Sequence, residues 1–303
     1  MPHLGPADRA SFERDGFVVV RGLLPVDYAR DFRRYVENLL IERSRAREEE
    51  RQADARYGKD GRPAIIKITQ LTETDARFQE LASRDEIVDV IEDLLGPGAR
   101  IFRDALIVKP AGSKGLFSYH QDAAYWDVDP PRFASCWMAV TDVPENGSCL
   151  KVIAGSHDRR RKHGLVVGGH QLPTPVTSSL RRLVTYAGTG DNPGKSGGNR
   201  SLWRAKRFVL GRATRYVPAL AGLQDYRAVP SEIDLANERA LPMKTGDAVF
   251  FHGLTLHASG PNETQVDRMA PVISYMAADA RFVGAGNESF RPARRTKPRD
   301  DSA

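Results

Sequence analysis

The sequence predicts a mostly β domain with a helical layer on one face. Three observations carry this. Before Gly96, apolar residues recur at helical spacing in two runs, Phe32, Tyr35, Val36, Leu39, Leu40 and Ile87, Val88, Val90, Ile91, Leu94. After Gly98 the texture changes to short runs rich in Val, Ile and Phe, separated by Pro, Gly and Asn turns. Helices come first and strands follow, the order expected of a β-sandwich or barrel with helices packed against one side.

The elements follow in order. Asp8–Asp15 reads as a short helix stopped by Gly16, and FVVVRGLL after it as a strand. Pro25 and Asp27 open the first long helix, which fades into the charged tract RSRAREEERQADARYG, an exposed helix end or a loop. IIKI (65–68) is a strand, and Arg84–Leu95 a helix ended by Gly96-Pro97-Gly98. RIFRDALIVKP, FASCWMAVTDV, CLKVIAG, DAVFFHGLTLHAS and APVISYMAA supply the later strands. The segment 174–241 fits no strand pattern, and its stretch 185–201 is rich in Gly, Ser and Asn, as a flexible loop would be.

A chain of 303 residues suits one large domain. It divides into an N-terminal helical and strand part (1–100), a β core (101–157 and 244–285) and an insertion (158–243) placed as a lid over one mouth of the core. No apolar run approaches the ~20 residues that span a bilayer, and the first residues carry no apolar leader. Two cysteines, Cys136 and Cys149, make no disulfide framework; both are expected reduced, in a cytoplasmic protein. The net charge is +6, concentrated in 158–243, where 15 Lys and Arg stand against 6 Asp and Glu. Such a region attracts phosphates, carboxylates or nucleic acid. No nucleic-acid motif accompanies it and few aromatics are interleaved, which disfavours a nucleic-acid-binding protein on a β scaffold.

The chemistry starts at FSYHQDAAYW (117–126). In an extended segment His120 and Asp122 lie on one face, where an imidazole and a carboxylate can grip one metal ion. A third ligand must come from elsewhere, and GDAVFFHGLTLHASGPN offers His252 and His257. These stand an odd number apart, but a bulge at Gly253 removes the force of strand parity, so spacing leaves the choice between them open.

Five stretches together resemble the phytanoyl-CoA dioxygenase family of non-haem iron, 2-oxoglutarate-dependent oxygenases. They are FERDGFVVVRGLLP, YHQDAAYW, SCWMAVTDVPENGSCLKVIAGSH, GDAVFFHGLTLHASGPN, and Arg268, 11 positions after His257. The resemblance implies a double-stranded β-helix (jelly-roll, cupin-like) core and one oxygenase domain. It implies Fe(II) held by His120, Asp122 and His257, and 2-oxoglutarate as cosubstrate. Arg268 and Ser259 would hold the distal carboxylate, Trp137 would pack on the cosubstrate, and Lys67 would reach it. Dioxygen is the oxidant, and ascorbate serves as reductant in vitro.

Such a facial triad leaves coordination positions open for cosubstrate and oxygen. Related halogenases carry a small residue where Asp122 stands, so the aspartate favours hydroxylation, desaturation or cyclisation over halogenation. Tyr119, Tyr125, Trp126, Phe102, Asp104 and Ile107 are the candidate lining of a substrate pocket, whereas Gln121 and His157 are expected to be structural. The substrate is a small organic molecule, with a secondary metabolite favoured over an acyl-CoA or an amino acid. A cupin-like protein using Zn or Mn in another reaction is the remaining rival.

Overall fold

The computed structural model describes residues 4–49, 55–57, 63–167, 170–175, 225–283 and 290–294. The expected loop at 185–201 lies outside them. The larger of two facing antiparallel sheets runs β1 (Phe17–Val20), β13 (Ala248–His252), β7 (Phe133–Met138), β15 (Arg268–Met276), β4 (Arg100–Lys109), β3 (Pro63–Thr69), β2 (Ala55–Tyr57), with β17 (Arg291–Pro292) also pairing with β4. The smaller sheet runs β12 (Glu238–Leu241), β8 (Leu150–Ile153), β14 (His257–Ser259), β5 (Phe117–His120). The pair forms a double-stranded β-helix. A short ladder joins β6 (Val128–Asp129) to β16 (Arg281–Phe282).

Strand composition follows from what covers each face. Every residue of β7 is buried, because helices cover one side of the larger sheet and the smaller sheet covers the other. Ala134, Cys136 and Met138 join the core beneath the helices, whereas Trp137 joins the core between the sheets. Both cysteines are buried and free.

The helical layer comprises α1 (Pro6–Asp15), α2 (Val26–Glu49), α3 (Leu71–Thr74), α4 (Ala76–Ala82) and α5 (Asp85–Leu95). Helix α5 buries Ile87, Val88, Val90 and Ile91 as the spacing predicts, and Leu95 in place of Leu94, which packs half-buried on the same core, with Asp85 and Glu86 at its positive end. Phe32 of α2 meets Phe78 of α4 edge to face at 5.1 Å. Fully burying such a side chain contributes about 1.5–3 kcal/mol, so the layer is packed onto the sheet rather than tethered to it.

Helices α3 and α4 escaped sequence reading because each is too short to show a period. Their ends are capped instead. The Asp75 carboxylate accepts from the backbone N–H groups of Arg77 and Phe78.

The charged tract after Leu40 continues α2 to Glu49. The insertion needs a larger correction. Glu238–Leu241, assigned to it by sequence, is β12 and pairs in register with β8. The core therefore draws a strand from the C-terminal end of 158–243. The sequence ERAL hides this, because the strand is four residues long and sits at a sheet edge, where polar residues are tolerated. The remaining described part forms a small sheet, β10 (His170–Pro175), β9 (His163–Val167), β11 (Asp225–Ala228).

Candidate active site

The site lies between the two sheets, where β5 and β14 pair side by side. His120 and His257 are direct cross-strand partners, so their side chains share one face of the smaller sheet. Asp122 follows at the start of a single 3-10 turn, Asp122–Ala124. One donor atom from each of the three residues lies within 4.8 Å of the others, and all three residues are buried. His257 Nε2 stands 3.7 Å from an Asp122 oxygen.

Backbone contacts set the tautomers. His120 Nδ1 lies 2.7 Å from the Ser118 carbonyl, and His257 Nδ1 lies 3.0 Å from the Thr255 carbonyl. A carbonyl oxygen only accepts, so each Nδ1 carries the proton and each Nε2 presents a lone pair. Burial, reinforced by the neighbouring His257, holds the His120 pKa well below the usual imidazole value, in keeping with a neutral ligand. On Asp122, one oxygen is fixed by Ser135, whose hydroxyl donates to it at 2.7 Å; Ser135 also meets Ser274 at 2.8 Å. This donor set fits a divalent transition metal, with two imidazoles, one carboxylate and partners that orient each.

The structure brings His257, and not His252, beside His120 and Asp122. Gly253 ends β13, since its backbone N–H turns to the Phe133 carbonyl and a Cβ there would lie 2.0 Å from the Phe133 ring. The chain crosses to the other sheet, and His252 stays behind. There it packs against Phe12, Phe133 and His157 and accepts from the Leu254 N–H. Gly16 holds the crossing from outside. Its φ is +82°, and a Cβ would meet His157 and Thr255 at 2.5–2.6 Å. Its carbonyl accepts from the His252 N–H and the Thr255 hydroxyl.

A second chemical feature sits at the start of β15. Arg268 is 3% exposed, and its guanidinium lies 5.4 Å from the Trp137 ring. Its Nε and Nη1 have no hydrogen-bond partner among the described residues. Burial pulls its pKa down to about 10. A buried cation with unanswered N–H groups is costly unless an anion meets it, and a carboxylate matches that fork.

A family model for phytanoyl-CoA dioxygenase (PhyH) matches residues 12–270. The chain belongs to the phytanoyl-CoA dioxygenase family. It is accordingly a non-haem iron dioxygenase. The peroxisomal phytanoyl-CoA dioxygenase of Rattus norvegicus is 24% identical over 93% of this chain and 71% of its own length. Among solved structures, the non-haem monooxygenase ThoJ superposes with a TM-score of 0.63 at 20% identity, over 95% of this chain and 84% of its own. The α-ketoglutarate-dependent carbocyclase SnoK from nogalamycin biosynthesis gives 0.60 at 18%, over 97% and 94%. At those identities the structures show the shared fold.

The other residues singled out by sequence divide cleanly in this phytanoyl-CoA dioxygenase family member. Tyr125 stands edge-on to His120 at 5.4 Å and to Tyr226 of β11 at 5.0 Å, beside the triad. Lys67 pairs with Ile107 across β3 and β4, and Ile107 pairs with the inward-facing Ala270. Both therefore lie on the inner face, and Lys67 is close enough to His120 to help lower its pKa.

Four candidate pocket residues sit elsewhere. Phe102 belongs to the core beneath the helices, and Trp126 packs on that core, edge to face with Phe102 and Phe133. Asp104 shares the outward parity of Phe102. Its carboxylate caps α3, accepting from the Leu71 and Thr72 N–H groups and the Thr72 hydroxyl. Tyr119 points away from His120, as neighbours in a strand must, and donates to Glu238 on the outer face of the smaller sheet. Sequence proximity to the metal motif drew in Tyr119 and Trp126, and strand parity removes Tyr119.

Gln121 is structural, as expected. Its amide donates to the Arg159 and Leu254 carbonyls and accepts from the Arg161 N–H, tying the triad to the loop after β8. His157 is structural too, its Nε2 lying 3.1 Å from the Glu13 carbonyl. Sequence reading missed Ser135 and Ser274, which look like ordinary strand serines, and Lys109, which looks like a strand-end lysine. The signal for Ser135 was its place two residues before Trp137, on the same inner face.

Proposed function

We propose that this chain hydroxylates, or oxidises in a related way, a small organic molecule of secondary metabolism, using Fe(II), 2-oxoglutarate and dioxygen. The observation that carries this is the pairing of two features on the inner face of one sandwich: a buried His-Asp-His cluster, and a buried arginine whose Nε and Nη1 have no hydrogen-bond partner among the described residues. His120, Asp122 and His257 would hold the metal. Arg268 would take the distal carboxylate of 2-oxoglutarate, with Ser259 beside it and Trp137 as a wall. With these bound, the site supplies oxidation of a substrate C–H bond coupled to conversion of 2-oxoglutarate into succinate and CO2.

The chain's own residues do the rest. The Ser118 and Thr255 carbonyls hold each ring by its Nδ1, which leaves both Nε2 atoms facing the cluster. Ser135 holds one Asp122 oxygen so that the other faces the histidines. The apolar core between the sheets, with the Phe251 ring tilted against His257 at 4.6 Å, would keep bulk water from the ligands. Asp122 fills a ligand position with a carboxylate, which favours oxygenation over halogenation.

A competing substrate class is an acyl-CoA, since several relatives are phytanoyl-CoA dioxygenases. The basic run that could meet CoA phosphates argues against it. Arg159 pairs with Glu232 at 2.9 Å, Arg161 with Asp158 at 2.5 Å, and Arg160 approaches Asp127 at 3.5 Å while donating to the Ala123 carbonyl. Carboxylates already occupy these cations. SnoK, by contrast, serves nogalamycin biosynthesis on the same fold.

The test is substrate-stimulated turnover. Purified protein with Fe(II), ascorbate and 2-oxoglutarate is screened over polycyclic metabolites, acyl-CoAs and amino acids, reading succinate. Stimulation by a metabolite, lost in Asp122→Ala, is expected. Stimulation by acyl-CoAs alone would overturn the substrate class, and absence of any metal-dependent 2-oxoglutarate binding would overturn the whole reading.

A further inference from the structure

We infer that Lys109 is a positioning residue that makes the site selective for a 2-oxo diacid, by forcing the Ser259 hydroxyl to donate toward the carboxylate held by Arg268. The inference rests on the cosubstrate reading above and adds to it a residue that none of the sequence motifs contains.

Lys109 is the last residue of β4 and the direct cross-strand partner of Arg268. The two side chains therefore share the inner face of the larger sheet. Lys109 is completely buried. From there its ammonium crosses to the smaller sheet and makes three hydrogen bonds to two consecutive residues. They run to Ser259 Oγ at 2.8 Å, to the Ser259 carbonyl at 3.1 Å and to the Gly260 carbonyl at 2.7 Å. Burying a lysine completely is costly, and lysine is rarely used that way unless its N–H groups are matched.

The consequence lies in the direction of one proton. A hydroxyl has one O–H and two lone pairs. The ammonium takes a lone pair of Ser259 Oγ, so the remaining capacity of that oxygen includes its only proton. Ser259 is 5% exposed and lies two residues beyond His257 on the same face. An O–H poised as donor there suits an anion and is useless to a bare N–H. Arg268 supplies N–H groups that want the same anion. Lysine, serine and arginine thus act in sequence, with the first setting the polarity of the second and the second and third meeting one carboxylate.

The same ammonium stiffens the turn that joins ligand to anchor. The Gly260 carbonyl also accepts from Ser148 at 2.7 Å. Asn262 Nδ2 donates to the Lys109 and Pro110 carbonyls at 3.0 and 3.1 Å, and Asn262 Oδ1 accepts from Thr264. His257 and Arg268 lie on either side of this turn, so the span between metal and guanidinium is fixed through Lys109.

The test separates the proton-direction role from plain packing. Binding of 2-oxoglutarate and of pyruvate, which keeps the 2-oxo acid but lacks the distal carboxylate, is measured by calorimetry on Mn(II)-loaded wild type, K109M, K109Q, S259A and K109M/S259A. Metal stoichiometry and circular dichroism report folding. The expected result is at least a tenfold loss of 2-oxoglutarate affinity in K109M and K109Q, with pyruvate affinity unchanged. The double variant is expected to bind no worse than the weaker single variant. Additive losses, or unchanged 2-oxoglutarate affinity in either folded Lys109 variant, would overturn the inference while leaving the cosubstrate reading intact. Equal loss for both ligands would make Lys109 a structural residue and overturn it likewise. Wild type that binds pyruvate as tightly as 2-oxoglutarate would overturn both.

Discussion

Arg268→Met separates stability from function in a way few substitutions do. In the ligand-free protein this guanidinium is buried with two nitrogens unanswered. The fall of its pKa from 12.5 to about 10 measures what burial costs the charged form. At 1.36 kcal/mol per unit, that is about 3 kcal/mol at neutral pH. Methionine keeps the apolar stem and removes the charge. What is lost is the contact with Trp137 at 5.4 Å, worth about 1–2 kcal/mol for a desolvated cation and ring. The expected balance is a metal-free protein stabilised by about 1–2 kcal/mol, opposite in sign to an ordinary core truncation. Affinity for 2-oxoglutarate moves the other way. Charge-assisted hydrogen bonds contribute about 1.5–3 kcal/mol each, so losing a two-bond fork costs at least a hundredfold. Urea unfolding of the metal-free protein reads the first quantity, and urea unfolding of Mn(II)-loaded protein with and without 2-oxoglutarate reads the second. R268M that unfolds several kcal/mol earlier than wild type while still gaining stability from 2-oxoglutarate would refute the reasoning.

Other perturbations probe the remaining parts of the site. Asp122→Ala should abolish substrate-stimulated succinate and weaken Mn(II) binding, read by calorimetry; full retained activity would remove Asp122 from the ligand set. Ser135→Ala deletes the 2.7 Å donor to the Asp122 carboxylate, and loss of such a supporting contact should reduce metal affinity about 10–100-fold, with the fold kept by circular dichroism. His252 is held neutral by burial, its pKa lowered from 6.5 to about 4. Below pH 6.5 the unfolded chain takes up a proton that the folded chain refuses, so stability falls as pH drops from 6.5 to 4, by about 3 kcal/mol for this one group. His252→Asn should flatten that part of the stability profile, read by urea unfolding between pH 7 and 4. Gly253→Ala should disrupt the crossing between sheets, since its Cβ would strike the Phe133 ring, and a native-like melting temperature would contradict the close packing there.

How much of this was legible in the sequence depended on whether one element carried its own signal. Helix α5 declared itself through apolar spacing, and the strands of the larger sheet through runs such as FASCWM. Helices α3 and α4 and strand β12 did not, because four to seven residues cannot display a period. The His-Asp-His cluster was legible as a motif set, but the placing of His257 rather than His252 in it was not legible from spacing. It depends on Gly253 releasing the chain from one sheet to the other, a packing event set by Phe133 more than 100 residues away.

The pocket residues show the same limit from the other side. Phe102, Asp104 and Ile107 are near neighbours on one strand, yet Phe102 and Asp104 face the helices and Ile107 faces the sandwich interior. Alternation alone separates the two sets but cannot say which set faces which core, because both faces of this sheet are covered and both read as apolar. The deciding fact is a partner on another strand. Ile107 pairs with Ala270, and Ala270 packs with Trp137 between the sheets, two positions from an arginine that no strand pattern would bury. Of the buried polar residues on these strands, Lys109, Ser135, Arg268 and Ser274 lie on that inner face near the cluster or its anchor, whereas Asp104 lies on the outer face and is spent on capping α3. In a sheet with two apolar faces, the buried polar residues that no helix end accounts for reveal which side does chemistry.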